Sequence, residues 1–127
     1  MIVNLPNPLA RCLRDFFSNH LPRLRGASPH TVQSYRDSLA LLLRFVAEQR
    51  KRSVATLDFD DIEPSRVIAF LGHLEQTRGN TVSTRNVRLA AIHAFFRYAA
   101  ESRPEWLELC QRILAIPFKR SGTRSVE

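Results

Sequence analysis

Cysteine is scarce in this 127-residue sequence, and so is lysine. Cys12 and Cys110 sit in separate apolar stretches without CxxC or CxxxxH spacing. That pattern excludes a disulfide framework or cysteine metal site and marks both thiols as small core hydrophobes in a reducing compartment. No cofactor, metal or small-molecule substrate is expected. Long hydrophobic runs are missing too: no stretch has the length to cross a bilayer, and the opening MIVNLPNPLARCLRDFF lacks the charged start and unbroken apolar run of a signal peptide. The expectation is a soluble, cytoplasmic chain with no membrane partner. Period-two alternation never lasts long enough to make a strand, and no repeat or low-complexity tract is present, so the expected class is all-α.

What is present is arginine. Lys plus Arg number 19 against 12 Asp plus Glu, a net charge of +7, and 17 of the 19 are Arg. Guanidinium groups form bidentate hydrogen bonds with phosphate and stack on bases, so this excess favours a polyanionic partner over simple solubility. The length suits one domain able to bury roughly two thirds of its unfolded surface.

Proline, glycine and serine punctuate five helical segments, predicting a compact bundle of four to five helices over residues 1–116. The first opens at Asn7-Pro8, a capping residue followed by proline, and ends near His20, before Pro22. After the basic connector LPRLRGA, Ser28-Pro29 repeats the signal and launches a helix to about Arg50. The acidic LDFDDIEP places Asp60 or Asp61 near the start of a third helix, which runs to about Gln76. Ser83 or Thr84 caps a fourth, and Pro104 opens a fifth, whose Glu105 and Glu108 suit the positive end of the helix dipole.

The second and fourth helices share a design. In the second, Val32, Tyr35, Leu39, Leu42 and Val46 form one apolar stripe, and Leu41 with Phe45 adds another, so the C-terminal half is expected to be buried nearly all round. Its first turns instead point His30, Gln33, Ser34 and Asp37 outward, with Thr31 and Arg36 flanking the stripe. In the fourth, Leu89, Ile92, Phe96 and Ala99 make one stripe and Ala91, Ala94 and Tyr98 a second. The polar mouth is Ser83, Thr84, Arg85, Asn86 and Arg88, and no acid falls between Gln76 and Ala100. Unpaired helix N–H groups with hydroxyl and guanidinium neighbours suit phosphate, and Asn, Gln and Arg read base edges in a major groove. Ser and Thr also cap helices in every class of protein, and Arg on an outer turn is commonly a solvated face. The two mouths lie more than fifty residues apart with a helix between them. That rules out a helix-turn-helix and fits two separate docking helices.

The run SPHTVQSYRDSLALLLRFV resembles the start of the core-binding (SAM-like) domain of tyrosine recombinases, the phage-integrase and Xer-like group, in which Thr-x-x-x-Tyr-Arg opens the second helix. Here those residues are Thr31, Tyr35 and Arg36. STRNVRLAAIHAFFRYAA is similar to a later helix of that domain, and the likeness covers about residues 5 to 120. It implies half of a C-shaped clamp on double-stranded recombination-site DNA, with two helices meeting the major groove near their N-terminal parts. It also implies a homo-oligomer assembled on DNA through the full-length protein.

Family members carry a further domain with an Arg, a Lys, a His-x-x-Arg pair, another His or Trp and a Tyr nucleophile. No such cluster is legible here, so no catalytic residue is expected in this chain. His20-Leu21-Pro22-Arg23 has the His-x-x-Arg form but straddles a helix end, and Tyr35 and Tyr98 lie in apolar stripes. Residues 117–127 read as a basic linker toward a catalytic domain, with Lys119, Arg120 and Arg124 along phosphate backbone. Two alternatives stand beside this reading. One is a helical adaptor whose basic face meets an acidic protein, with Phe118 or Trp106 in the contact; the other is an autonomous DNA-binding regulator.

Overall fold

The computed structural model describes residues 6–24 and 26–120, and all regular structure among them is helical. Asn7 caps the first rod, its side chain accepting from the Ala10 N–H at 2.9 Å, with Pro8 at the first helical position. Helix α1 (Pro8–Asp15) passes into a π turn at Phe16–His20 and closes as α2 (Leu21–Arg23). The expected stop near His20 is therefore corrected, because Pro22 lies inside the last turn. Proline lacks an N–H and crowds the carbonyl four residues back, and a widened turn just before it accommodates both effects.

Helix α3 (Pro29–Arg50) starts on the Ser28 cap and ends on Lys51, which adopts a left-handed conformation with φ 54°. Two 3-10 turns follow, Val54–Thr56 and Phe59–Asp61, and α4 (Pro64–Gln76) starts with Glu63 at its cap position. Asp60 and Asp61 thus do not begin the third helix as expected. Asp58 and Asp61 instead close a capping box around the 3-10 turn. The buried Asp61 carboxylate also accepts from Arg50 Nε and Arg52 Nη1, each at 3.0 Å. Asp58 Oδ1 accepts from the Leu9 N–H at 3.2 Å, while Asn7 Nδ2 donates to the Leu57 carbonyl at 2.6 Å. The acidic stretch thereby stitches the start of α1 to the end of α3.

Helix α5 (Val82–Ser102) is capped by Thr81, two residues ahead of the expected Ser83 and three ahead of Thr84. A 3-10 turn, Pro104–Trp106, takes the residues expected to open the last helix, so α6 spans Leu107–Leu114. Apolar on several sides, α5 is the central rod and packs against α6, α3, α4 and α1. Phe16, Phe59, Phe70, Phe95 and Phe96 are fully buried, each worth about 2–3 kcal/mol of transfer free energy. Edge contacts join Phe95 to Phe96 at 5.0 Å and to Phe16 at 5.5 Å. Trp106 stacks on Phe59 at 5.3 Å. Both cysteines are buried free thiols, and burial pushes Cys110 up to about 11, which keeps it protonated and inert.

Burial along α3 follows one stripe rather than the whole circumference of its second half. Leu39, Leu42, Val46 and Ala47 are buried, whereas Leu41 and Phe45 are only partly buried. With Phe70 and His73 of α4, those two line a shallow cleft edged by Arg44 and Arg78. Helix α4 crosses only one side of α3, so the second stripe is only partly covered. Among the described residues, no helix is long and apolar enough to cross a membrane.

Candidate nucleic-acid interface

Helices α3 and α5 begin with the same local chemistry. Ser28 Oγ accepts from the Thr31 N–H at 3.1 Å, and Thr81 Oγ1 accepts from the Thr84 N–H at 3.1 Å. In each pair the two hydroxyls lie 3.2 Å apart. Cap hydroxyls three residues before a threonine fix both first turns. Thr31 and Thr84 keep part of their surface in solvent.

The fold brings these turns to one groove of about 350 Å³. From α3 it is lined by His30, Gln33, Ser34 and Asp37, and from α5 by Thr84, Val87 and Arg88. The spacings i, i+3, i+4, i+7 on one helix and i, i+3, i+4 on the other are single helical faces turned toward each other. A hydrogen-bonded relay ties the walls together: Arg88 Nη1 donates to Ser38 Oγ at 3.0 Å, and that buried hydroxyl donates to the Ser34 carbonyl at 2.8 Å. Gln33 Nε2 donates to Asp37 Oδ1 at 2.9 Å on the rim. Sequence reasoning did not include Val87 among the site residues, although it lies three positions beyond Thr84 on the same face. It is 48% exposed in the groove.

Other expected site residues lie elsewhere. Arg85 is only 7% exposed. Its Nη1 donates to Asn86 Oδ1 at 2.9 Å and to the Pro117 carbonyl at 3.3 Å, and its Nε lies 3.9 Å from Glu75 Oε1. Asn86 holds the segment after α6 by donating from Nδ2 to the Lys119 carbonyl at 2.8 Å and accepting the Lys119 N–H at 3.1 Å. Lys119 Nζ pairs with Glu75 at 2.9 Å. Arg85, Asn86 and Lys119 thus form a latch outside the groove, and the exposed Arg120 follows it. Arg36 lies over the Phe17 ring at 4.8 Å, and Tyr35 stacks parallel to Phe16 at 6.5 Å. Ser83 is exposed and outside the groove lining. Arg124 and residues 121–127 of the expected linker lie outside the described residues, as does Arg25 of the connector.

Two histidines are engaged in packing. His20 stacks on Phe16 at 5.7 Å and lies 4.5 Å from the Tyr98 ring, so the histidine of His20-Leu21-Pro22-Arg23 packs into the bundle, while Arg23 is exposed. The buried His93 donates from Nε2 to the Ile113 carbonyl at 3.2 Å, under the edge of Phe118 at 5.2 Å. Burial depresses its pKa; the carbonyl bond opposes that shift, and the charge of Arg97 reinforces it.

Residues 15–102 match the family described as phage integrase, N-terminal SAM-like domain. An integrase/recombinase of Sinorhizobium fredii, y4rC, is 46% identical over 112 residues, covering 88% of this chain and 34% of that protein. A second from the same organism, y4rD, is 41% identical over 113 residues, covering 89% of this chain and 40% of its own. Tyrosine recombinase XerC of Rhodospirillum centenum is 37% identical over 78 residues, 61% of this chain and 23% of that one. The chain spans a third to two fifths of the length of the two Sinorhizobium relatives. No solved structure matches it. With its all-helical bundle and more than half of its length matched, this chain belongs to the phage-integrase N-terminal SAM-like domain family.

Proposed function

We propose that this domain binds double-stranded DNA for a site-specific tyrosine recombinase, clamping recombination-site duplex through the first turns of α3 and α5, while a separate catalytic domain performs strand exchange. The observation that carries the reading is the single groove that both first turns line, with Arg88 in one wall and Gln33 in the other. His30, Ser34 and Thr84 offer further polar contacts there, and Thr31 and Ser83 flank them at the helix mouths. Helix N-termini add amide dipoles that favour phosphate. Arg85 and Asn86 act by holding the exit segment, on which Lys119 pairs with Glu75 and from which the exposed Arg120 reaches neighbouring phosphates, and Arg36 serves the bundle through Phe17. The full-length protein assembles as a homo-oligomer on its DNA, in the cytoplasm.

The test is a duplex titration followed by fluorescence anisotropy at several salt concentrations. With about six phosphates contacted, log affinity should fall with log salt at a slope of about −5. Arg88→Ala should weaken binding and reduce the slope by about 1, while Arg112→Ala on the exposed side of α6 should leave both unchanged. Affinity that stays constant between about 50 and 200 mM salt, or an Arg88→Ala protein that is folded and binds like wild type, would overturn the proposal.

A further inference from the structure

We propose that the groove reads an A·T base pair, with Gln33, oriented by Asp37, on the adenine and Val87 against the thymine methyl. This rests on the duplex-binding reading above and adds what the groove recognises.

The first argument is which end of the Gln33 amide is free. A carboxylate only accepts hydrogen bonds, so the Gln33 atom 2.9 Å from Asp37 Oδ1 is the amide nitrogen. One N–H is spent on Asp37. The second N–H remains as one donor and the carbonyl oxygen as one acceptor. Adenine offers the complement in the major groove, with N7 as acceptor and the N6 amino group as donor. Guanine presents two acceptors, N7 and O6, so the same amide would set its carbonyl oxygen against O6. Asp37 is thus a positioning residue, and its charge further disfavours the acceptor-rich edge of guanine.

The second argument is Val87. A valine 48% exposed between Thr84 and Arg88 contributes little to the core. It stands on the wall opposite Gln33, where the apolar group available on a DNA major-groove edge is the thymine 5-methyl. The hydrogen bond from Arg88 to Ser38 holds the two walls in register.

The experiment selects duplexes from a randomised pool with the wild-type chain, then measures binding to the enriched duplex and its single-position variants. Wild type should enrich an A·T pair and lose at least about fivefold when it is exchanged for G·C. Replacing the thymine by uracil should cost about fourfold in wild type, the worth of one buried methyl, and nothing in Val87→Ala. Asp37→Ala should shrink the adenine-over-guanine preference while leaving the thymine-over-uracil ratio intact, a split that a merely structural role would not give. Enrichment of G·C, absence of any enriched pair, or equal binding of thymine and uracil duplexes would overturn base reading by this groove. If Arg88→Ala leaves duplex binding intact, the interface itself is elsewhere and the base reading falls with it.

Discussion

Arg85 and Arg88 sit three residues apart on α5 and have the same charge, yet one is buried in a latch and the other lines the groove. Register alone did not separate them: Arg85 lies four and seven residues before the buried Leu89 and Ile92, and Arg88 lies four and seven before the buried Ile92 and Phe95. Their partners did, Glu75 and the Pro117 carbonyl for Arg85 and Ser38 for Arg88, and these come together only in space. Asp61 was likewise hard to read, because burying a carboxylate depends on Arg50 and Arg52 arriving from the end of another element. His93 carries the pH consequence. Its depressed pKa means the folded chain prefers the neutral ring, so its contribution to stability is present above the unfolded value near 6.5 and is lost as pH falls below it. Chemical denaturation at pH 7.5 and 5.5 should show wild type losing more stability on acidification than His93→Gln. An equal loss in both proteins would mean that the ring protonates without penalty.

Elements were read well where capping and periodicity agreed, as at Asn7-Pro8 and Ser28-Pro29, and less well where several caps competed. VSTRN offered Ser83 and Thr84, but the helix starts on Thr81 because its hydroxyl reaches the Thr84 N–H, as Ser28 reaches that of Thr31. The repeated spacing of a hydroxyl residue three positions before a threonine was in the sequence and would have chosen correctly. Removing the cap by Thr81→Ala should cost about 1 kcal/mol in urea denaturation, and Ser83→Ala should cost much less. The reverse order would place the cap at Ser83. Pro22 misled in another way. A proline signals an end in an α-helix, but a π turn before it lets the rod continue, and only the packing of Phe16 and Leu21 into the core rewards that continuation.

For the whole molecule, the helical class followed from the capping signals and the apolar periodicity. Which faces would meet did not, because pairing depends on crossing geometry that no one segment specifies. The latch joining α4, α5 and the segment after α6 was invisible for the same reason, since Glu75, Asn86 and Lys119 come together only in space. The central claim is that two helix mouths, distant along the chain, act on DNA as one surface. Its most direct test is an NMR titration of the labelled chain with duplex DNA, following backbone and side-chain amides. The account predicts that the largest shifts appear together in residues 28–37 and 81–88, including the Gln33 side-chain amide. Shifts confined to one of these helices, or centred on the opposite end of α3 around Arg44, Lys51 and Arg52, would contradict it.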